Sequence, residues 1–194
     1  MRSRPLRAIL ALILGLAAGV ASADELRTGD IVLLGNDSAW GFVARRFADG
    51  DSRWSHAGMV IRDGKGVAVV HMDGSPLGGR IRRESFAAFT GQARYVRVVR
   101  PALDAGKRAR VGEWLDIQLR RGTPFDTSFR LDDHLAMYCS ELVWRALEQV
   151  AMTPGSDSLP SLAGRDYVPV DRLATLGRVL DEASRPSSLV AGTR

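Results

Sequence analysis

The chain has 194 residues, 45% of them hydrophobic, which suits a single domain whose core needs no disulfide or metal to support it. Its formal net charge is +5 at neutral pH, but basic and acidic residues are interspersed, as in residues 49–53, rather than gathered in a basic stripe. We therefore expect no nucleic-acid partner, because such partners are bound by clustered lysines and arginines.

The N-terminus carries the pattern of an export signal. Arg2, Arg4 and Arg7 precede an apolar run over residues 8–20, and the small residues 21–23 follow it. A permanent membrane anchor is the alternative, but a span needs about 20 apolar residues. No cysteine lies near the cut to carry a lipid. We predict a signal peptide over residues 1–23 and a periplasmic or secreted mature chain without a stable membrane anchor. Removal of the signal peptide with its three arginines would lower the formal net charge of the protein from +5 to +2.

Four short apolar segments in the first half of the mature chain are predicted strands. They are bounded by glycine or proline and carry branched or alternating apolar residues. Glycines in residues 62–66 predict a hairpin turn between the second and third strands. Apolar residues at helical spacing predict a helix between the first two. In chain order, these elements are strand 29–35, helix 39–48, strand 57–61, strand 67–71 and strand 94–99.

The second half of the chain is predicted to be helical. Apolar stripes indicate helices over residues 104–120, 138–150 and 170–183. The segments 72–89 and 153–166 are predicted loops that govern specificity, and residues 184–194 are predicted to be a flexible tail. Strands followed by helices indicate an α+β fold with a small, largely antiparallel sheet packed against helices. No internal repeat or linker divides the chain, so we expect one domain over residues 24–183.

Cys139 is the only cysteine of the chain, so it forms no intramolecular disulfide. It stands at the start of a predicted helix, four residues before Val143, which directs its sulfur along the apolar stripe toward the sheet. A helix N-terminus favours the thiolate and offers N–H groups to an oxyanion. Most lone cysteines are instead buried and inert, so this position alone does not establish a nucleophile.

Two histidines are predicted to meet across a hairpin. His56 directly precedes the second predicted strand and His71 ends the third. A turn centred near Gly64 places His56 opposite roughly residue 72, so the imidazoles lie side by side. An imidazole base held by a further polar group is what an activated thiol requires.

Three stretches of the sequence resemble the circularly permuted papain-like enzymes of the YaeF/YiiX group. They are SHAGMV at 55–60, GTPFD at 122–126 and YCSELV at 138–143. The group belongs to the broad NlpC/P60 superfamily, which has lecithin retinol acyltransferase relatives. The resemblance covers roughly residues 28–180, and histidine precedes cysteine, as in the permuted group.

The resemblance implies a permuted papain-like fold in which Cys139 is the nucleophile, His56 the base and His71 the orienting third residue. Several members of the group carry a carboxylate at the third position, whereas a histidine there is similar to the acyltransferase relatives. The implied activity is cofactor-free cleavage of an amide in a small peptide or N-acyl substrate, including peptidoglycan fragments. A lipid thioesterase or acyltransferase and a non-catalytic binding module are the alternatives.

Five further side chains are expected to bind substrate or line the cleft. Tyr138 and Ser140 flank the cysteine, His134 lies in the preceding loop, and Trp54 and Asp30 lie near the predicted strand ends.

Two other interpretations concern Glu141 and a metal. Glu141 lies about 200° around the helix from Cys139, so we predict a surface ion pair with Arg145. Three histidines and one cysteine invite a zinc site, but their spacing matches no compact ligand pair, and we predict no metal.

Overall fold

The computed structural model describes residues 25–36, 44–75, 77–132, 135–154, 158–162 and 164–184. Three predictions lie outside these ranges, namely the signal peptide, the position of His134 and the tail beyond residue 184. Most of predicted helix 39–48 also lies outside them, and its described residues 44–46 are helical. Among the described residues, no helix is both long and apolar enough to cross a membrane.

A six-stranded antiparallel sheet forms the centre of the fold. Its strands are β1 (Ile31–Gly35), β2 (His56–Asp63), β3 (Gly66–Ser75), β4 (Gly78–Ser85), β5 (Tyr95–Arg100) and β8 (Arg178–Ser184). They follow one another across the sheet in the order β4-β3-β2-β1-β5-β8. A separate two-stranded hairpin pairs β6 (Ser161–Leu162) with β7 (Arg165–Asp166). The predicted α+β class with an antiparallel sheet is confirmed.

Besides the helical residues 44–46, the described ranges contain three α-helices and one 3₁₀ helix of five residues beside the sheet. They are α1 (Phe86–Thr90), α2 (Ala105–Arg121), α3 (Cys139–Glu148) and the 3₁₀ helix Asp171–Thr175. The Asp104 side chain caps α2 by accepting the Lys107 N–H at 2.7 Å, and Gly122 ends it with φ of 64°. Helix α3 packs on β2 and β3, so it sets Cys139 against the middle of the sheet.

Alternating residues of β2 divide the core between the two faces of the sheet. Ala57 and Met59 belong to the larger cluster, which includes Cys139 and the apolar face of α3. Val60 and Phe89 belong to a smaller cluster on the opposite face. This alternation follows from the two-residue period of a strand.

The predicted last helix, 170–183, is wrong. Residues 171–175 form the 3₁₀ helix, and residues 178–184 form β8, the edge strand beside β5. A β-carbon at Gly177 would lie 2.3 Å from the Arg100 carbonyl oxygen, so the chain turns at Gly177 close against the end of β5. The strand is mostly exposed, so its few apolar residues gave the sequence no clear two-residue pattern.

The predicted loop 72–89 is also wrong, because most of it belongs to β3, β4 and α1. Strand β4 is at the other edge of the sheet and buries one residue, Ile81. Glycines and charged residues occupy most of its remaining positions, as is common at exposed sheet edges. The strand therefore resembles a loop in composition.

Candidate active site

Cys139 is the first residue of α3 and is flanked by two side chains that bind one backbone unit. The Tyr138 hydroxyl accepts the Val168 N–H at 2.8 Å, and the Ser140 hydroxyl donates to the Val168 carbonyl at 2.7 Å. Both donor–acceptor pairs are buried. The chain after the β6–β7 hairpin is thereby fixed beside the cysteine.

Burial raises the pKa of the Cys139 thiol, although the backbone N–H groups of Ala57, Ser140 and Cys139 lower it. The expected thiolate-stabilising effect of the helix start is therefore present but smaller than the cost of removing a charged sulfur from water. The contribution of Ala57 also locates the sulfur at the start of β2, beside the residue that follows His56.

The His56 and His71 imidazoles are in contact, with Nε2 of His56 3.1 Å from Nδ1 of His71. Gly58 pairs with His71, one residue from the predicted register. A β-carbon at Gly58 would lie 2.5 Å from Val69 and 3.1 Å from the His71 β-carbon. Glycine at this position therefore leaves room for the histidine pair.

Both histidine rings pack on Phe89, with ring centroids 5.5 Å away for His56 and 4.8 Å for His71. Phe89 belongs to the smaller core cluster, whereas Cys139 belongs to the larger one. The rings thus lie on the face opposite α3. His56 is the first residue of β2, and the next residue, Ala57, is the one whose backbone N–H acts on the Cys139 sulfur.

Burial has the largest effect on the pKa values of His56 and His71. Burial, together with the neighbouring His71, lowers the pKa of His56 to about 3. Burial also lowers the pKa of His71, against the opposing effect of Glu84 and Asp73. Both imidazoles are therefore neutral at physiological pH.

Glu84 is a neighbour of this pair that sequence reasoning missed. His71 Nε2 is buried without a hydrogen-bond partner among the described residues, and the nearest Glu84 carboxylate oxygen is 3.6 Å away. Glu84 lies on β4, which the sequence presented as a loop, so no strand register connected it to His71.

An apolar cavity of about 230 Å³ opens beside Cys139. Tyr138 and Ser140 line it together with three aromatic side chains that the sequence did not assign to a site, Phe47, Phe129 and Tyr167. Two residues of the β6–β7 hairpin, Leu162 and Arg165, also line it, and both lie in the predicted specificity segment 153–166. The three aromatic residues come from separate segments of the chain, which explains why no local motif marks them.

A family model for permuted papain-like amidase enzymes, the YaeF/YiiX or C92 family, matches residues 25–161. The chain belongs to this family. Among solved structures, this YaeF/YiiX-family chain is similar in fold to the metalloprotein YiiX from Escherichia coli O157:H7. The sequence identity is 20% and the TM-score 0.58, over 79% of this chain and 87% of that one. No curated protein matches the chain.

Glu141 belongs to the YCSELV stretch of this family member and is fully buried, so its predicted surface position is wrong. The predicted pair with Arg145 is present, with 3.3 Å between Nε and Oε1. Glu141 also accepts the Tyr138 N–H at 3.4 Å, so it caps the helix that begins with Cys139. Burial raises the pKa of Glu141 to about 8, although Arg145 opposes this shift.

Trp54 and Asp30 are buried away from the residues that line the cavity. The Trp54 indole N–H donates to Asp51 at 3.0 Å, and the Arg97 guanidinium lies 4.7 Å from the ring centroid. Asp30 binds Arg100 through contacts of 2.9 and 2.6 Å. Both residues stabilise the fold around the sheet.

Within the described ranges, no group of three or more His, Cys, Asp or Glu side chains is arranged to hold a metal ion.

Proposed function

We propose that this YaeF/YiiX-family amidase is an exported hydrolase in which Cys139 attacks an amide carbonyl and His56 is its base. The contact between His56 and His71 carries the proposal, because it occupies Nε2 of His56 and leaves Nδ1 for the thiol proton. The sulfur lies at the start of the same strand. Export rests on the N-terminal pattern, and a small peptide or N-acyl substrate, including cell-wall fragments, rests on the family and that pattern.

Glu84 supports a specific arrangement of protons on the two histidines. A proton on His71 Nε2 faces the Glu84 carboxylate, 3.6 Å away. His71 Nδ1 is then an acceptor, so His56 Nε2 donates to it and His56 Nδ1 keeps a free lone pair. Glu84 would thus supply, through His71, the negative charge that other members of the group carry on their third residue.

The reaction proceeds in two balanced halves. His56 takes the thiol proton as the Cys139 sulfur bonds to the carbonyl carbon, and backbone N–H groups at the start of α3 can stabilise the oxyanion. The tetrahedral intermediate loses the amine, which receives the proton from His56, and a thioester remains. Water then attacks the thioester, His56 accepts a water proton, and the acid leaves as that proton returns to the sulfur.

An uncharged Cys139 thiol together with an uncharged His56 imidazole predicts an unusual pH dependence for alkylation of Cys139 by iodoacetamide. Because burial raises the thiol pKa and lowers that of His56 to about 3, thiol and neutral imidazole coexist across the neutral range. The alkylation rate constant should rise with pH toward the alkaline range without an acid plateau. Rates measured between pH 4 and pH 10 test this, because only the thiolate reacts.

A thiolate–imidazolium pair would instead give a plateau that begins at about pH 4 and extends through neutral pH. Such a plateau would contradict the prediction that Cys139 and His56 are both uncharged at neutral pH. The His71→Leu variant is the informative comparison, since an aliphatic side chain offers no acceptor to His56 Nε2 and the sulfur is unchanged.

The apolar cavity favours a second candidate, the cleavage of acyl esters or thioesters. Matched acyl esters and acyl anilides separate the two activities, because both share one acyl group and differ only in the leaving group. Preference for the ester beyond its intrinsic reactivity supports this candidate. A non-catalytic binding module would bind both compounds and release no product from either.

A further inference from the structure

A groove at the end of β5 is lined by three arginines and by no acidic side chain of the described residues. The arginines are Arg100, Arg108 and Arg178, which belong to β5, α2 and β8. The groove has a volume of about 580 Å³, which lies within the range of about 300–1,000 Å³ of ordinary ligand pockets. It shares no lining residue with the cavity beside Cys139, and its arginines favour an anion.

Two of the three guanidinium groups share one carboxylate. Arg100 and Arg108 are each 15% exposed and lie 2.6 and 3.6 Å from the fully buried Asp30. One carboxylate offsets only one of two largely buried positive charges. Burial lowers the pKa of the Arg108 guanidinium, Asp30 opposes this shift, and the positive charges of Arg100 and Arg27 lower it further. Positive charge at this end of the sheet is therefore incompletely balanced.

Arg178 adds a third positive charge directly beside this group. It pairs with Arg100 across β8 and β5, so the two side chains leave the same face of the sheet from opposite positions. Like charges at such a pair destabilise a sheet. Arg178 is exposed and forms no ion pair with the described residues. An anion bound between the two guanidinium groups would remove their repulsion.

Neighbouring charges do not cancel the excess. Arg27 and Glu25 act on the two buried arginines with opposite signs. Lys107 and Asp104, at the start of α2, also carry one charge of each sign. The three lining arginines then face the single carboxylate of Asp30, which leaves two positive charges without a counterpart.

We propose that this groove binds a dianionic phosphate group, which contacts the guanidinium groups of Arg178 and Arg100. Guanidinium forks match phosphate oxygens and bind them through paired N–H donors. A phosphate monoester carries a charge of about −1.5 to −2 at neutral pH, which matches the excess in the groove, whereas a carboxylate carries one charge. The site goes beyond the proposed hydrolase activity and does not depend on it, because neither Cys139 nor the histidine pair lines the groove.

Isothermal titration calorimetry of the purified protein with inorganic phosphate and with glycerol 3-phosphate tests the site. Arg178→Gln should weaken the binding of both about tenfold, as expected for the loss of one charge-assisted hydrogen bond. This residue is exposed on an edge strand, so the variant should fold as the wild type does. Arg110→Gln is the matched control, because Arg110 is exposed on α2 outside the groove, and it should leave the affinity unchanged.

Vesicles distinguish the two sources of a phosphate group. Cosedimentation with phosphatidylcholine vesicles that contain phosphatidic acid, lost in Arg178→Gln, would identify a lipid headgroup. Binding of glycerol 3-phosphate without cosedimentation would identify a soluble phosphate ester. No saturable binding in either experiment, or equal affinities of the wild-type and Arg178→Gln proteins, would overturn the proposal. Acetate that binds as tightly as phosphate would overturn the preference for a dianion.

Discussion

Replacing His56 with asparagine is expected to slow acylation of Cys139 by a p-nitrophenyl ester by about 10²–10⁴-fold, the usual contribution of a positioned general base. Asparagine places a polar atom close to the position of the imidazole Nδ1, but its amide cannot accept a proton at neutral pH. Burial keeps His56 neutral down to acidic pH, since its pKa lies near 3, so the wild-type base is available throughout the neutral range. The initial burst of p-nitrophenol measures the acylation rate.

Two variants separate the base from the residues that orient it. His71→Leu removes the 3.1 Å contact with His56, because an aliphatic side chain offers no acceptor, and should reduce acylation less than His56→Asn does. Glu84→Gln keeps the shape of the side chain but removes its charge, so this variant should reduce acylation less than His71→Leu does, and only when His71 is present. An effect of Glu84→Gln that persists in the His71→Leu background would exclude the route through His71. A His56→Asn protein with wild-type acylation would exclude His56 as the base.

Replacing Asp30 with asparagine should lower the free energy of unfolding by about 3–5 kcal/mol, because one member of a buried charged group is lost. The carboxylate is fully buried, binds Arg100 at 2.6 Å and accepts the Arg27 N–H at 2.8 Å. Arg108 lies 3.6 Å away. Without the negative charge, two largely buried guanidinium groups face each other uncompensated. Urea unfolding of the purified protein measures the change.

Asp63→Asn is the matched control for this prediction. Asp63 also binds an arginine through two oxygens, with contacts of 2.7 and 2.9 Å to Arg83, but its pair is exposed. Its replacement should have a much smaller effect, because solvent screens exposed pairs. Similar losses for the two variants would mean that burial does not set the strength of these pairs. In neither variant is a residue of the proposed catalytic group changed.

The sequence predicted the parts of the site that depend on local pattern. The apolar stripe over residues 138–150 predicted a helix that begins at Tyr138, and this prediction placed Cys139 at the helix start. A tight hairpin turn brings His56 and His71 together, and the register was in error by one residue. In each instance short-range geometry determines the position, so one sequence was sufficient.

The rest of the site depends on contacts between distant segments. Glu84 reaches His71 only because β4 pairs with β3, and β4 has too few buried residues to be recognised as a strand. Phe47, Phe129 and Tyr167 meet at the cavity from separate segments whose compositions do not single them out. The raised pKa of Cys139 likewise reflects burial by the whole fold, which outweighs the local effect of the helix start.

Intact-protein mass spectrometry after brief exposure to p-nitrophenyl butyrate is the most direct test of Cys139 as a nucleophile that carries the acyl group. Wild-type protein should gain the mass of one butyryl group on the Cys139 peptide, and neutral hydroxylamine should remove it, as expected for a thioester. The Cys139→Ser protein should show no hydroxylamine-sensitive adduct. Butyryl groups found only on other residues, or release of p-nitrophenol that is unchanged in Cys139→Ser, would contradict the account.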